Sequence, residues 1–430
     1  MIVLYCMIEI LSVAVLGSVV GLLVGIIPGM GTTFALVAGY PILATWPTDW
    51  MLAYYAAITM SSQFSSSVSA LMFGVLGEFT SQPALKERIE LQRQGQIGIA
   101  VRHTATASMV AVVAALLVVV VLWNWLPQFV YVLRSEVKMV LLIMIVGLAW
   151  VLGTNHRLIN TGMIAAGLVG GMVGFSYRGQ SLLTFDQWWL TGGIPVIVLL
   201  AGLVAVPGAV QFLKIKLHAE SIQHQSHPVE WSSIGRGTII GSIIGLVPVV
   251  GNAITSQVAW LAEQRRSSSA LSRVTSAESA NNSGNVTVLL PLLMFGLPIV
   301  PSEMILYNML SAQGWTNNTL TSTSVLLVFA AAAVSSVIAW FTCGVLVNRL
   351  VSFVQRHYQS LAVSAVVLTV LSVIYLGMQS YNTVFYLAVL TVAVAVGLIF
   401  AKRDFNPFLI SFLIAQPLAI SVGVVAQLYF

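Results

Sequence analysis

GSVVGLLVGIIPGMG (Gly17–Gly31) and GTIIGSIIGLVPVVG (Gly237–Gly251) carry the same glycines and the same proline in one register. Gly17, Gly21, Gly25, Pro28 and Gly31 each recur 220 residues later, as Gly237, Gly241, Gly245, Pro248 and Gly251. Each copy is an apolar run with a glycine at every fourth position, broken by proline and then glycine. In lipid, small residues at that spacing let helices approach closely, and a proline–glycine break stops or kinks a helix. Interrupted spans at corresponding places in two halves predict a duplicated membrane protein that binds its solute at the breaks.

Composition agrees. Hydrophobic residues make up 58% of the 430 and charged residues 7%, with mean hydropathy +0.95. A soluble chain carries roughly a quarter of its residues as charges, so this is a polytopic membrane protein. The formal charge of +5 then belongs to cytoplasmic loops and implies no nucleic acid. Cys6 and Cys343 lie in separate apolar runs, which excludes a disulfide framework or a cysteine zinc site. The N-terminus lacks the basic region of a signal peptide and is expected to be retained. All six histidines (His103, His156, His218, His224, His227 and His357) are expected in or beside loops, with no metal site. No HExxH, GxSxG or GxxxxGK[ST] occurs, so no enzyme, no catalytic residue and no ATP-driven transport within the chain is expected.

The fold class expected is all-α and polytopic, with two inverted-topology repeats. Each repeat comprises a broken, re-entrant helix hairpin, a polar-lined segment and four further transmembrane helices. Clean spans fall at about 105–125, 137–153, 158–175 and 191–213, and again at about 323–348, 361–378, 384–400 and 407–430. Residues 1–213 form the first repeat, 214–233 a cytoplasmic linker and 234–430 the second repeat. With loop 84–102 in the cytoplasm, 15 of the 18 Lys and Arg fall inside, the positive-inside pattern. Trp46, Trp50, Trp188, Trp189 and Trp315 then sit at the outer interface. Equivalent loops of the two halves carry opposite charge character, as an inverted repeat predicts.

Two sets of residues are placed to touch solute. At the breaks these are Pro28, Gly29, Gly31, Thr32 and Thr33, with Pro248, Gly251 and Asn252 opposite. A broken helix leaves backbone N–H and C=O groups that protein or solute must satisfy. The second set lies in the polar-lined segments: Gln63, Ser65, Ser66 and Ser67, and Glu278, Asn281, Asn282, Ser283 and Asn285. Hydroxyls and amides bind a carboxylate or a cation without burying charge. Ser65–Ser67 and Asn281–Ser283 are candidates for substrate, and Gln63, Glu278 and Asn285 for a coupling ion. Interhelical hydrogen bonding is the competing role, notably for Ser69. Glu9, Glu78 and Glu303 are the other acids in or near these segments. No Lys or Arg falls within either cluster, so helix ends, amides and a co-bound cation are expected to hold an anion.

The chain resembles the large membrane subunit of the tripartite tricarboxylate transporters, the TctA family. The likeness is carried by GLLVGIIPGMGTTFA (Gly21–Ala35), FGVLGE (Phe73–Glu78) and RGTIIGSIIGLVPVVG (Arg236–Gly251). SAESANNS (Ser276–Ser283) and LLPLLMFGLPIVPSE (Leu289–Glu303) complete it, in the family's order over both halves. The resemblance implies a bacterial inner-membrane carrier for small organic acids, driven by Na+ or H+, with no other cofactor. It implies three partners: a small TctB-like membrane subunit, a periplasmic TctC-like solute-binding protein and a small carboxylate. Motif matches carry over Pro28, Gly29, Gly31 and Thr32, then Pro248, Gly251, Glu278, Asn281 and Asn282. Val249 stands where a glycine is expected, the 266–277 loop is short and the first polar segment is serine-rich, which leaves the acid open. A passive channel, or a scaffold or exporter subunit, is the alternative reading of the residues alone.

Overall fold

Backbone polar groups in lipid must be satisfied within the protein, which leaves helices as the economical solution for an apolar chain. The computed structural model describes residues 2–27, 30–73, 83–122, 135–152, 156–177, 180–214, 228–246, 252–266, 269–296, 298, 300–315, 322–400 and 406–429. The first half holds α1 (Ile2–Ile26), α2 (Gly31–Leu43), α3 (Thr48–Phe73), α4 (Leu85–Arg93), α5 (Ile97–Leu122), α6 (Ser135–Leu152) and α7 (Arg157–Gly171). It ends with α8 (Val196–Leu200), a π turn (Ala201–Ala205) and α9 (Val206–Lys214). The second half holds α10 (Trp231–Gly245), α11 (Asn252–Gln264), α12 (Ala270–Phe295) and α13 (Pro301–Ala312). It closes with α14 (Ser322–Gly344), α15 (Val347–Gln379), α16 (Thr383–Ile399) and α17 (Asn406–Tyr429). A two-residue antiparallel pairing, Ser176–Tyr177 with Gln180–Ser181, is the sole strand contact among the described residues. Five helices are long and apolar enough to cross a membrane, as a multi-pass membrane protein requires.

The glycine repeat positions the first three helices of each half. A Cβ on Gly17, Gly21 or Gly25 would strike Ala57, Ile58 or Ser62 of α3 respectively. One on Gly237, Gly241 or Gly245 would strike Ser279, Ala280 or Gly284 of α12. Positions rise together on both members, so α1 runs parallel to α3 and α10 parallel to α12, backbone against backbone. The following helix reverses. Thr255 Oγ1 of α11 donates to Ala280 O at 3.0 Å and Ser256 Oγ to Ala277 O at 3.1 Å, so α11 is antiparallel to α12. In the first half α2 leads directly into the turn that begins α3. Each motif is therefore a helical hairpin followed by a long helix.

The two halves exchange helices. α14 lies against α3 while α5 lies against α12. The last helix, α17, packs on α6 and α7, while α9 and the π turn pack on α15 and α16. Turns segregate to two ends. At one, Gln313 Nε2 donates to Ala44 O and Trp46 O, and Asn382 Nδ2 donates to Trp189 O. At the other, Arg273 pairs with Glu87 at 3.2 Å and Arg236 with Glu263 at 2.6 Å. α12 ends on Gly296, whose φ of +61° lets its N–H close on Leu292 O at 2.9 Å, a left-handed cap that suits glycine.

Several sequence expectations need correction. The stretch 84–102 is not a loop: α4 folds back into the protein and buries Glu87, Arg88 and Leu91 along one face, and α5 starts at Ile97. His103 is therefore a buried residue of α5, and His357 lies on α15. The span expected at 361–378 is part of a 33-residue helix that begins at Val347 and includes Arg349 and Arg356; at about 50 Å it exceeds a bilayer core. The helix expected over 158–175 ends at Gly171, and the one expected over 191–213 begins at Val196 and passes through the π turn. Linker residues 215–227 lie outside the described residues.

Candidate functional site

The polar-lined segments are the middles of α3 and α12, and they cross. Asn281 Nδ2 donates to Gln63 Oε1 at 2.7 Å, and Asn285 Nδ2 lies 3.8 Å from Met60 Sδ. Higher positions on α12 meet lower ones on α3, so the helices run antiparallel through this crossing. Every serine, asparagine, glutamine and glutamate of the two clusters is at most 5% exposed. So many polar side chains in one closed seam would be unfavourable without partners, and their partners divide them into groups.

One group serves the hairpins. Ser65 Oγ donates to Gly21 O at 3.3 Å, and Ser283 Oγ to Thr238 O at 3.2 Å. These two hydroxyls face the glycine seams and tie α3 to α1 and α12 to α10. Ser61 Oγ and Ser279 Oγ bond back to carbonyls one turn earlier, Ala57 O and Thr275 O.

The second group lies where α12 meets α3, α4 and α5. Asn282 Nδ2 donates to Ser108 Oγ of α5 at 2.8 Å and to Glu278 O at 3.0 Å. Glu278 is 1% exposed and forms an ion pair with Arg88 of α4, itself 1% exposed. Arg88 Nη1 also donates to Ser67 O at 3.3 Å. A cation therefore stands inside the second cluster, contrary to the sequence expectation, because α4 carries it there from a segment that reads as a loop. Arg88 Nε, Ser67 Oγ, Asn281 Oδ1 and Asn282 Oδ1 are buried without a hydrogen-bond partner among the described residues. Polar atoms in that condition mark places where a ligand, an ion or water completes the set.

Around this core runs a charged girdle, of which the Glu87 contacts hold α4 and the Glu263 contacts join α10 to α11. Trp260 Nε1 donates to Glu87 Oε1 at 3.0 Å, and Arg273 approaches the same oxygen. Ser233 Oγ and Arg236 both donate to buried Glu263. Sequence reading missed Arg88, Ser108 and this girdle. The available signal was Glu278 itself: a carboxylate in the middle of a membrane helix calls for a cation nearby, and α4 offers one on its buried face.

Of the break residues, Pro28, Gly29, Pro248 and Gly251 lie outside the described residues, as does Glu78. Gly31 (φ +46°) and buried Thr32 open α2, and Thr33 is half-buried. That first turn directs helix N-terminal N–H groups toward the break. Asn252 opens α11. Glu303 is buried and its Oε2 accepts from Val300 N at 3.2 Å, capping α13; Glu9 is half-buried on α1. At the far end of α3, a cavity of about 390 Å³ opens between Pro47, Asp49, Gln313 and Trp315. No group of three or more His, Cys, Asp or Glu among the described residues is arranged to hold a metal.

Comparison with known proteins adds the following. The model of the Tripartite tricarboxylate transporter TctA family matches residues 11–410. An uncharacterised 52.8 kDa protein in the TAR-I ttuC' 3' region of Agrobacterium vitis is 28% identical over 324 residues, covering 70% of this chain. The chain spans 63% of that relative's length. No solved structure matches.

Proposed function

We propose, for a chain that belongs to the tripartite tricarboxylate transporter TctA family, that it is the large membrane subunit of a secondary carrier for a small di- or tricarboxylate. The observation that carries this reading is the buried crossing of α3 and α12 at Gln63 and Asn281. It brings hydroxyls, amides and an arginine from both halves to one place, where an anion entering from either side meets them.

Alternating access by two inverted repeats is the mechanism that best accounts for the arrangement. Three features support it: the duplicated glycine seams, the antiparallel α3 and α12, and the reciprocal exchange of α5 with α14. In each motif the second helix runs back alongside the first, the arrangement that a re-entrant carrier site calls for. The break residues Gly29, Gly31, Thr32 and Thr33, with Gly251 and Asn252, would contribute N–H groups to the anion, and Pro28 and Pro248, which carry no N–H, would set the breaks. Ser66, Ser67, Asn281 and Asn282 would line the seam, with Gln63, Glu278 and Asn285 near the coupling Na+ or H+. Ser65 and Ser283 would act through hairpin packing. The cavity beside Trp315 is the vestibule on the side of a periplasmic binding protein, and a small membrane subunit completes the system in the bacterial inner membrane.

The test is uptake of labelled carboxylates by proteoliposomes that contain this chain, the small subunit and the binding protein. Accumulation should follow an imposed Na+ or H+ gradient, and Asn282→Ala should lower it about tenfold or more with insertion intact. Accumulation indifferent to both gradients would refute the carrier reading.

A further inference from the structure

Among the described residues, Arg88 and Glu278 form the ion pair in which both side chains are 1% exposed. Such a pair is expensive to desolvate, and this one is incompletely made. Nη2 donates to Glu278 Oε1 and Nη1 to Ser67 O, while the buried Nε has no acceptor among the described residues. The Nε–Nη2 edge of a guanidinium is the edge that grips a carboxylate with two parallel bonds. Glu278 engages that edge at Nη2 alone. Its other oxygen, Oε2, lies 3.5 Å from Asn282 Nδ2. Ser67 Oγ is idle close to the same guanidinium.

We propose that Arg88 is the receptor for one carboxylate of the transported anion, and that Glu278 is an internal stand-in which holds the guanidinium until the anion displaces it. The proposal rests on the carrier reading above and names the residue that would select the solute's charge. An entering carboxylate that bridges Nε and Nη2 satisfies the donor that Glu278 leaves unused, so Arg88 keeps a partner throughout the exchange.

Charge balance then ties anion to cation. The Arg88–Glu278 pair is neutral; adding a carboxylate leaves the buried site one charge negative, a condition strongly penalised away from water. The released Glu278 must take up a proton or bind a sodium ion. Asn281 and Asn282 follow Glu278 by three and four residues on one helix, hence on one face, and each has a buried Oδ1 with no donor. These oxygens suit the cation that Glu278 would attract. Coupling arises at the binding step itself, without a remote gate.

The first test does not require the natural substrate. Glu278→Ala removes a fragment the size of acetate, so sodium acetate should raise the thermal unfolding midpoint of that variant in nanodiscs, where sodium chloride does not. The Arg88→Gln/Glu278→Ala variant should show no such rise. Indifference of Glu278→Ala to acetate would overturn the proposal. Where Glu278→Ala does not fold, Arg88→Gln/Glu278→Gln keeps two amides of similar size that can bond each other. In the reconstituted system it should lose at least about tenfold in labelled citrate or succinate uptake. Uptake by this variant equal to wild type, with the same cation dependence, would overturn the role of Arg88 and leave the carrier reading standing. Failure of the wild type to accumulate any acid would instead refute the carrier reading, and the acetate result does not depend on it.

Discussion

Gly241→Ala probes how tightly the hairpins are built. The added methyl would lie 2.7 Å from Ala280 Cα, close to an ångström inside the ordinary separation of about 3.5–4 Å. α10 cannot yield locally. One turn to either side, Cβ positions on Gly237 and Gly245 would fall 2.8 Å from Ser279 Cβ and 2.9 Å from Gly284 Cα. The seam must open as a unit, and the Ser283–Thr238 bond of 3.2 Å opens with it. Overpacking costs about 1–3 kcal/mol, and a displacement shared by three turns belongs at the upper end, about 3 kcal/mol. Gly235, on the same helix, has nothing within 4 Å of its Cβ position. Gly235→Ala should be neutral, or stabilising by up to about 1 kcal/mol through helix propensity. Thermal unfolding of the two variants in nanodiscs, side by side, measures the difference. Gly21→Ala occupies the equivalent place, 2.5 Å from Ile58 O, and should match Gly241→Ala. Equal stability of the Gly241 and Gly235 variants would refute the close-packed seam. A gap above about 1 kcal/mol between Gly21→Ala and Gly241→Ala would refute the equivalence of the two hairpins.

A double-mutant cycle on Gln63→Leu and Asn281→Leu should show coupling of about 1 kcal/mol, with each single variant less stable by about 1–3 kcal/mol; additive losses would mean that the amides are not bonded. Arg236→Gln leaves Glu263, 1% exposed, with the Ser233 hydroxyl and no Arg236 cation; because Arg236 itself is 31% exposed, the cost in thermal stability should be about 1–3 kcal/mol, and a loss within experimental error would show that the carboxylate has another partner. Fragments 1–213 and 234–430 should each be degraded when produced alone and should copurify when produced together, as read by pull-down from membranes.

Much of this was legible because lipid simplifies the code. An apolar run with few charges is a helix, so the glycine repeat could be read directly, the bounds of α16 and α17 to within a residue and those of α14 to within four. Glycines at every fourth position predicted close helix contact, and the structure supplies the partners. What could not be read has two physical sources. The first is amphipathic structure: α4, with Lys86, Glu87, Arg88 and Glu90 within five residues, reads as a charged loop, yet its Glu87–Arg88–Leu91 face turns inward against α12. A hydropathy window averages that face away. The second is pairing across long separations. Nothing local to Asn282 announces Ser108, and nothing local to Glu278 announces Arg88. The serines divided between two roles for the same reason, since Ser65 and Ser67 differ only in which neighbour their helix face meets.

The boundaries at 213 and 234 come from the repeat read in the sequence, and the contacts argue that they do not bound units of folding. A helix stabilised mainly by packing needs its partner present, and here the partners come from the other half. α5 is covered by α12 and α14, α3 by α14, and α6 and α7 by α17. Removing either half exposes the polar seam as well: Gln63 loses Asn281, and Glu278 loses Arg88. An unpaired carboxylate and unpaired amides in lipid are far costlier than lost apolar contact, which a lipid tail can replace. The halves are therefore held together chiefly by their polar residues. Under the proposed carrier mechanism the same polar residues are the ones an anion would separate and rejoin, so stability and transport would draw on one set of bonds.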